Sequence, residues 1–448
     1  MPKSKILHTI LVSTIILSCA NEPYYEDASN IDNQLLALID ENSNGIGVDY
    51  FTLPSSNDYL SIPQDPLNPL NNAKVELGKM LVHETATGGN PKMNSVINTY
   101  SCASCHPVAS GFFSGNRQGI GEGGTGFGSQ GETRTVNLDM PLDSVDILPI
   151  KVPSLLNTAY QKVMLWNGAL GGTDINAPFT TLYPDDIPEN ALGYQGLEVQ
   201  GMNGQTAHRL KIDEEFVTTY GYKDLFDAAF PDFNENDRYS KLTGGLAIAA
   251  FNRTLLANEA PWQDWLKGNY NAMSTQEKRG AILFLDRALC VNCHTGPSLN
   301  SNNFYALGLN DMDASGAIVV NQEQLAVMKK GRGGFTNNSE DDYKFKVPSL
   351  YNLKDNPIYG HGGSYSSLNG IISYIVSGNK ENDIVPNSQL AEEFINLNLT
   401  TQEINDITAF VEHALYDNNL ERYVPTSVFS GNCIPNGDTQ SQIDLGCN

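Results

Sequence analysis

A chain of 448 residues, 40% of them hydrophobic, has the length for two or three domains and the composition for a sizeable core. Its 27 basic and 51 acidic residues leave a formal charge of −24, which argues against nucleic acid and anionic lipid surfaces as partners and favours solubility or a basic partner.

Residues 1–18 place Lys3 and Lys5 before an apolar run from Ile6 to Leu17. That run is too short to span a bilayer and reads as a secretion signal. It ends in I-L-S-C at Cys19, similar to the lipobox of bacterial lipoproteins, in which the cysteine becomes the lipidated N-terminus; ordinary signal cleavage is the alternative, and both export the protein. Residues 19–69 are polar, with one short apolar patch from Leu35 to Ile39, and read as a lipoprotein tether with at most a helical turn or two.

Folding proper is expected from Asn72, where Val75, Leu77, Met80 and Leu81 give an amphipathic helix. Then comes Y-S-C-A-S-C-H, Tyr100 to His106, and its partner L-C-V-N-C-H, Leu289 to His294. Each is a C-x-x-C-H, with two thiols spaced to form thioethers with the vinyl groups of one haem and a histidine placed to ligate its iron. The competing reading is a zinc thiolate site built from both pairs. The 188 residues from His106 to His294, and the histidine adjoining each pair, favour two c-type haems held by Cys102, Cys105, His106 and by Cys290, Cys293, His294.

Between these motifs, Gly111 to Gly131 is glycine-rich and contains G-I-G-E-G-G (Gly119 to Gly124). The segment neither follows a β-branched strand nor opens a helix, so a loop folded over a haem face is expected rather than a dinucleotide site. Helices are expected over Tyr222 to Phe230 and Leu242 to Ala257, and two capping boxes, Ser274 with Glu277 and Thr400 with Glu403, open two more. V-P-S-L-L-N (from Val152) and V-P-S-L-Y-N (from Val347) are near copies, 46 and 53 residues after their respective motif histidines. The pattern predicts a mainly α chain made of a duplicated module, with two cytochrome c-like haem domains at 70–258 and 259–424. With the lipid and haem cysteines assigned, only Cys433 and Cys447 remain, and in an oxidising compartment they read as a disulfide closing the tail, 425–448.

From about Ala73 to His413 the chain resembles the bacterial di-haem cytochrome c peroxidases and their MauG-like relatives. The resemblance is carried by L-G-K (Leu77 to Lys79), both V-P-S-L motifs, L-W-N-G (Leu165 to Gly168), A-A-F-N-R-T-L (Ala249 to Leu255) and H-G-G-S (His361 to Ser364). It implies a peroxidatic haem in the N-terminal domain, an electron-accepting haem in the C-terminal domain, and a tryptophan between them, here Trp166. Members needing reductive activation carry a capping histidine sixteen residues after the first motif histidine; Glu122 stands there in this chain. The resemblance puts Gln200 at the family's distal glutamine and His208 or Arg209 at its distal glutamate, with Glu122 a further candidate for proton transfer. At the second haem it makes Tyr374 the candidate sixth ligand, with His361 the alternative. The family's inter-haem calcium loses its asparagine to Lys151, whose ammonium would replace the cation.

The resemblance implies a peroxidase reducing hydrogen peroxide with electrons from a small cytochrome or cupredoxin, in the periplasm of a Gram-negative bacterium. A MauG-like oxidase acting on a protein or organic substrate, and a non-catalytic electron-carrying lipoprotein, are the alternatives. A carrier needs two six-coordinate haems, whereas an enzyme needs one vacant iron.

Overall fold

Each Cys-x-x-Cys-His turn follows a helix whose apolar stripe must be buried, and each such helix finds a later one to pack against. In the computed structural model, which describes residues 28–182 and 187–447, Asn72–His83 crosses Lys241–Thr254 and Thr275–Leu285 crosses Thr401–Ala409. Both crossings pass at a glycine. A Cβ on Gly78 would overlap the carbonyl oxygen of Ala247, and one on Gly280 would overlap that of Asp406, so the helix backbones touch where any side chain would hold them apart. The capping boxes at Ser274 with Glu277 and at Thr400 with Glu403 form as expected.

After each turn the chain folds back along its V-P-S-L segment. Asn157 and Asn352 adopt φ values of 58° and 56°, left-handed conformations that asparagine tolerates better than most residues. Their N–H groups donate to Leu255 O (2.7 Å) and Leu415 O (3.1 Å), one beyond the Lys241–Thr254 helix and the other beyond the π-helical turn Phe410–Ala414 that extends Thr401–Ala409. The repeat in sequence is therefore a repeat in fold. The architecture is mainly α, and among the described residues the strands are two short antiparallel pairs, Gly124–Thr125 with Thr135–Val136 and Phe304–Tyr305 with Phe345–Lys346. One core cluster runs from Leu35 through both crossings to Tyr423.

The expected tether is corrected by its packing from residue 28 onward. Ala28–Asn42 is a helix whose Ile31, Leu35 and Ile39 are buried, seated against Thr275–Leu285. Asp32 accepts from Trp265 Nε1 (2.8 Å) and pairs with Lys278 (2.7 Å). The segment then crosses to the first module, where Arg253 Nη1 donates to Pro63 O (3.1 Å) and Asn68 Nδ2 to Leu246 O (3.0 Å). Spacing of apolar residues at four-residue intervals marks the buried stripe, but the polar residues between them dominate the composition. The signal segment and Cys19 lie outside the described residues.

Cys433 and Cys447 form a disulfide, as expected. The tail it closes grips the first motif: Ser101 and Ser104 hydroxyls donate to Pro435 O (3.1 and 3.2 Å), Gly437 N donates to Thr99 O (3.0 Å), and Asp438 pairs with Arg134 of the glycine-rich loop (3.2 Å).

Candidate functional site

The first motif turns in a short 3-10 segment, Cys102–Ser104, which lets His106 N donate to Cys102 O (3.1 Å) and brings thiols and imidazole to one side. His106 Nδ1 is hydrogen-bonded to Phe112 O (2.9 Å), which fixes the ring and leaves Nε2 as the ligating atom. Burial lowers its pKa to about 4, so it is neutral, and raises the Cys102 and Cys105 thiols to about 11 and 12. All three line a cavity of about 730 Å³ of empty space, partly open to solvent, whose wall also carries Gln200, His208 and Asn252.

Three buried carbonyl oxygens on that wall, Gln200 Oε1, Gln205 Oε1 and Asn252 Oδ1, have no protein partner. Such groups are rare in a closed core and mark a space shaped for something else. Gly201 and Gly204 also face it from the Gly196–Ala207 helix. A Cβ at Gly204 would meet only His208 Cδ2, at 3.9 Å, so no protein contact demands glycine there; its bareness leaves room beside the helix for a flat group. These features fit a haem joined to Cys102 and Cys105. The zinc reading has no site: the thiols stay in two pairs, and among the described residues no group of three or more His, Cys, Asp or Glu is placed to hold a metal ion.

The distal candidates divide. Gln200 and His208 are on the cavity wall. His208 Nδ1 is hydrogen-bonded to Asp146 Oδ2 (2.8 Å); enclosure opposes charge on the imidazole, but the Asp146 carboxylate outweighs it and raises the pKa, with Arg209 working against it. Glu122 and Arg209 are corrected. Glu122 is fully buried, is not on the cavity wall, and accepts from Arg209 Nε, Lys92 N (2.6 Å) and Met93 N (3.2 Å). Arg209 also donates to Ser144 O (3.2 Å). The two side chains neutralise each other and hold the glycine-rich loop, which does reach the cavity, through Gly121.

The second motif repeats the first: His294 N donates to Cys290 O (2.9 Å), and Nδ1 is bonded to Leu299 O (3.0 Å), with burial lowering the imidazole pKa to about 4. Trp166 lies where both V-P-S-L segments meet, in a crevice lined by Pro153, Ser154, Pro348 and Ser349, and its Nε1 donates to Lys151 O (2.7 Å). His361 stands edge-on to Trp166 (6.3 Å between ring centroids), stacks on Phe345, and pairs through Nε2 with Asp311 (3.3 Å). Tyr374, the candidate sixth ligand, has its hydroxyl donating to Leu307 O (2.6 Å) and its ring packed on Tyr365 and Phe394, and burial raises its pKa. Lys151 holds its ammonium against Ser114 O (2.7 Å), Ser114 Oγ (3.1 Å) and Asn116 O (2.9 Å), while burial lowers its pKa to about 7.

Asp146, Gln205, Asn252 and Asp311 were invisible to sequence reasoning. No local pattern distinguishes them, because each acquires its partner from a distant segment.

Residues 72–271 match the sequence profile of the family described as "Di-haem cytochrome c peroxidase". The chain is 27% identical over 370 residues to cytochrome-c peroxidase IdrP1 of Pseudomonas sp. strain SCT, covering 78% of this chain and 82% of that protein. It is also 27% identical over 360 residues to the methylamine utilization protein MauG of Methylorubrum extorquens, covering 79% and 81%. Among solved structures it shares the fold of a MauG-like protein associated with microbial copper homeostasis, with a TM-score of 0.57, 24% identity, and coverage of 82% and 95%.

Proposed function

We propose that the chain, whose residues 72–271 match the profile of the di-haem cytochrome c peroxidase family, is a member of that family with its MauG-like relatives and reduces hydrogen peroxide to water with electrons from a small redox protein. Cys102 and Cys105, with His106 as ligand, would hold one c-type haem, and Cys290 and Cys293, with His294 as ligand, would hold the other. The observation that carries this reading is the cavity over the first turn, where thiols, imidazole, Gln200, His208 and three unpartnered carbonyl oxygens converge.

When bound there, the haem supplies the iron at which the peroxide O–O bond breaks and through which two electrons arrive. Gln200 orients the peroxide through its amide. His208 takes a proton from one peroxide oxygen and delivers it to the other as that oxygen leaves as water; the oxygen left behind takes up two electrons and, from solvent, two protons, so peroxide, two electrons and two protons give two waters. Glu122, locked to Arg209, offers the iron no cap, which supports an open site in the oxidised protein. The second haem, in domain 259–424, would receive the electrons, and Trp166 would stand between it and the first, in domain 70–258. Lys151 fills an oxygen-lined cradle, so no calcium is needed beside it. Export through residues 1–18 and a lipid on Cys19 would anchor the protein in the periplasm.

The MauG-like reading shares the open first site and differs in taking electrons from a protein or organic substrate. A resting optical and EPR spectrum with and without peroxide, followed by turnover with a reduced small cytochrome, tests both. One high-spin haem and cytochrome oxidation support the peroxidase. Reaction with peroxide but no cytochrome oxidation points to the MauG-like oxidase, and two low-spin haems indifferent to peroxide point to an electron carrier.

A further inference from the structure

The glycine-rich loop and the segment after it form a short ladder. Gly121 N donates to Asp146 O (2.9 Å), Asp146 N donates to Glu122 O (2.9 Å), and Ile120 bridges Ile147. Two carboxylates, Glu122 and Asp146, are thereby displayed from one ladder. Facing them are two consecutive residues, His208 and Arg209, made to diverge by the positive φ of 54° at Arg209. Arg209 takes Glu122 in a buried pair off the cavity wall, and His208 takes Asp146 on it. Each pairing enforces the other: with Arg209 neutralised, Asp146 is left to the histidine, and with Glu122 occupied, no second carboxylate competes for the imidazole. The charged and titratable groups around His208 are thus Asp146 and Arg209, with His106 across the cavity, Lys92 near Asp146, and Tyr100 on the same wall, its hydroxyl donating to Arg209 O (3.0 Å).

Hydrogen-bonding through Nδ1 leaves Nε2 as the free nitrogen of His208. We propose that Asp146 is a positioning residue for His208: by accepting the Nδ1–H it fixes the tautomer whose Nε2 lone pair faces the cavity, and it stabilises the imidazolium formed when Nε2 takes a proton. The proposal rests on the peroxide reading of the same cavity and adds the group that orients its base.

The test uses the haem-loaded protein and three variants, Asp146→Asn, Asp146→Glu and His208→Gln, each first checked for two haems and an unchanged melting temperature. Long-range 1H–15N spectra of histidine-labelled protein, with His208 assigned by its loss in His208→Gln, report the tautomer independently of turnover. The expected result is an Nδ1–H imidazole in the wild type, lost in Asp146→Asn and restored in Asp146→Glu. The peroxide rate is expected to fall about 10²-fold in His208→Gln, roughly the low end for loss of a general base, and at least tenfold in Asp146→Asn. A fourth protein combining Asp146→Asn with His208→Gln should be no slower than His208→Gln alone, and Asp146→Glu should recover most of the rate. An Asp146→Asn protein that keeps its Nδ1–H tautomer, or reacts within twofold of wild type while His208→Gln is slow, overturns the proposal. If the wild type does not react with peroxide at all, the functional reading fails, and the tautomer alone decides the positioning role: Nδ1–H dependent on Asp146 supports it, and any other state refutes it.

Discussion

Replacing Glu122 by Gln separates a structural carboxylate from a chemical one. The amide keeps the shape and an acceptor for Lys92 N and Met93 N but removes the charge opposite Arg209. Breaking a fully buried ion pair costs about 3–5 kcal/mol. Here the Glu122 side chain is fully buried but that of Arg209 is 20% exposed, so the guanidinium, which keeps Ser144 O, can turn toward water and away from the amide NH2 that replaces its acceptor, and about 2–3 kcal/mol is expected. Unfolding entropy of roughly 2.1 cal/mol/K per residue over 448 residues gives about 0.9 kcal/mol/K, so the melting temperature should fall by about 2–3 °C. Thermal melts followed by Soret absorbance and far-UV circular dichroism read the first quantity, and stopped-flow mixing with peroxide reads the second. The peroxide rate should stay within about twofold, because the side chain is not on the cavity wall. For the same reason Glu122→His should leave the resting spectrum high-spin, since the new imidazole would stand against Arg209. A tenfold loss of rate with an unchanged melt, or conversion of Glu122→His to low spin, would refute the assignment of Glu122 to structure.

A pyridine haemochrome assay should count two haems per chain, and the double variants Cys102→Ala/Cys105→Ala and Cys290→Ala/Cys293→Ala should each remove one. Gly78→Ala and Gly280→Ala should each destabilise by at least about 1–3 kcal/mol, because the added Cβ overlaps a backbone carbonyl that neither helix can withdraw; denaturant titration would expose the error if either were neutral. Turnover with a basic cytochrome should weaken as ionic strength rises, given the charge of −24, whereas salt-independent kinetics would assign the acidity to solubility. The peroxide rate should fall toward acid as His208 protonates, since a base must be neutral to act. Because Asp146 raises the imidazole pKa above its ordinary value, the acid limb should lie above about 6.5, and Asp146→Asn should move it down; a limb unmoved by that variant would mean that another group titrates.

The two Cys-x-x-Cys-His turns were legible because they are local. Two thiols and a histidine within five residues carry their chemistry in their spacing, and the crossing helices announce themselves by periodicity and caps, as at Ser274 with Glu277 and Thr400 with Glu403. The same locality explains what was missed at the N-terminus, where composition averaged over residues 28–69 hid the buried stripe of Ile31, Leu35 and Ile39. The cavity wall was decided elsewhere. Glu122, Asp146 and the 208–209 turn come from three separate segments, and nothing in their order says which carboxylate meets which cation. That choice is made by the ladder joining the glycine-rich loop to Asp146 and by the left-handed backbone at Arg209, which send one pair into the core and the other to the cavity. Tyr374 illustrates the same limit: the resemblance makes it the candidate ligand, but only packing shows that its hydroxyl donates to Leu307 O. Sequence determines which groups are available, whereas burial and hydrogen-bond competition, which depend on long-range contacts, determine which of them remain free to react.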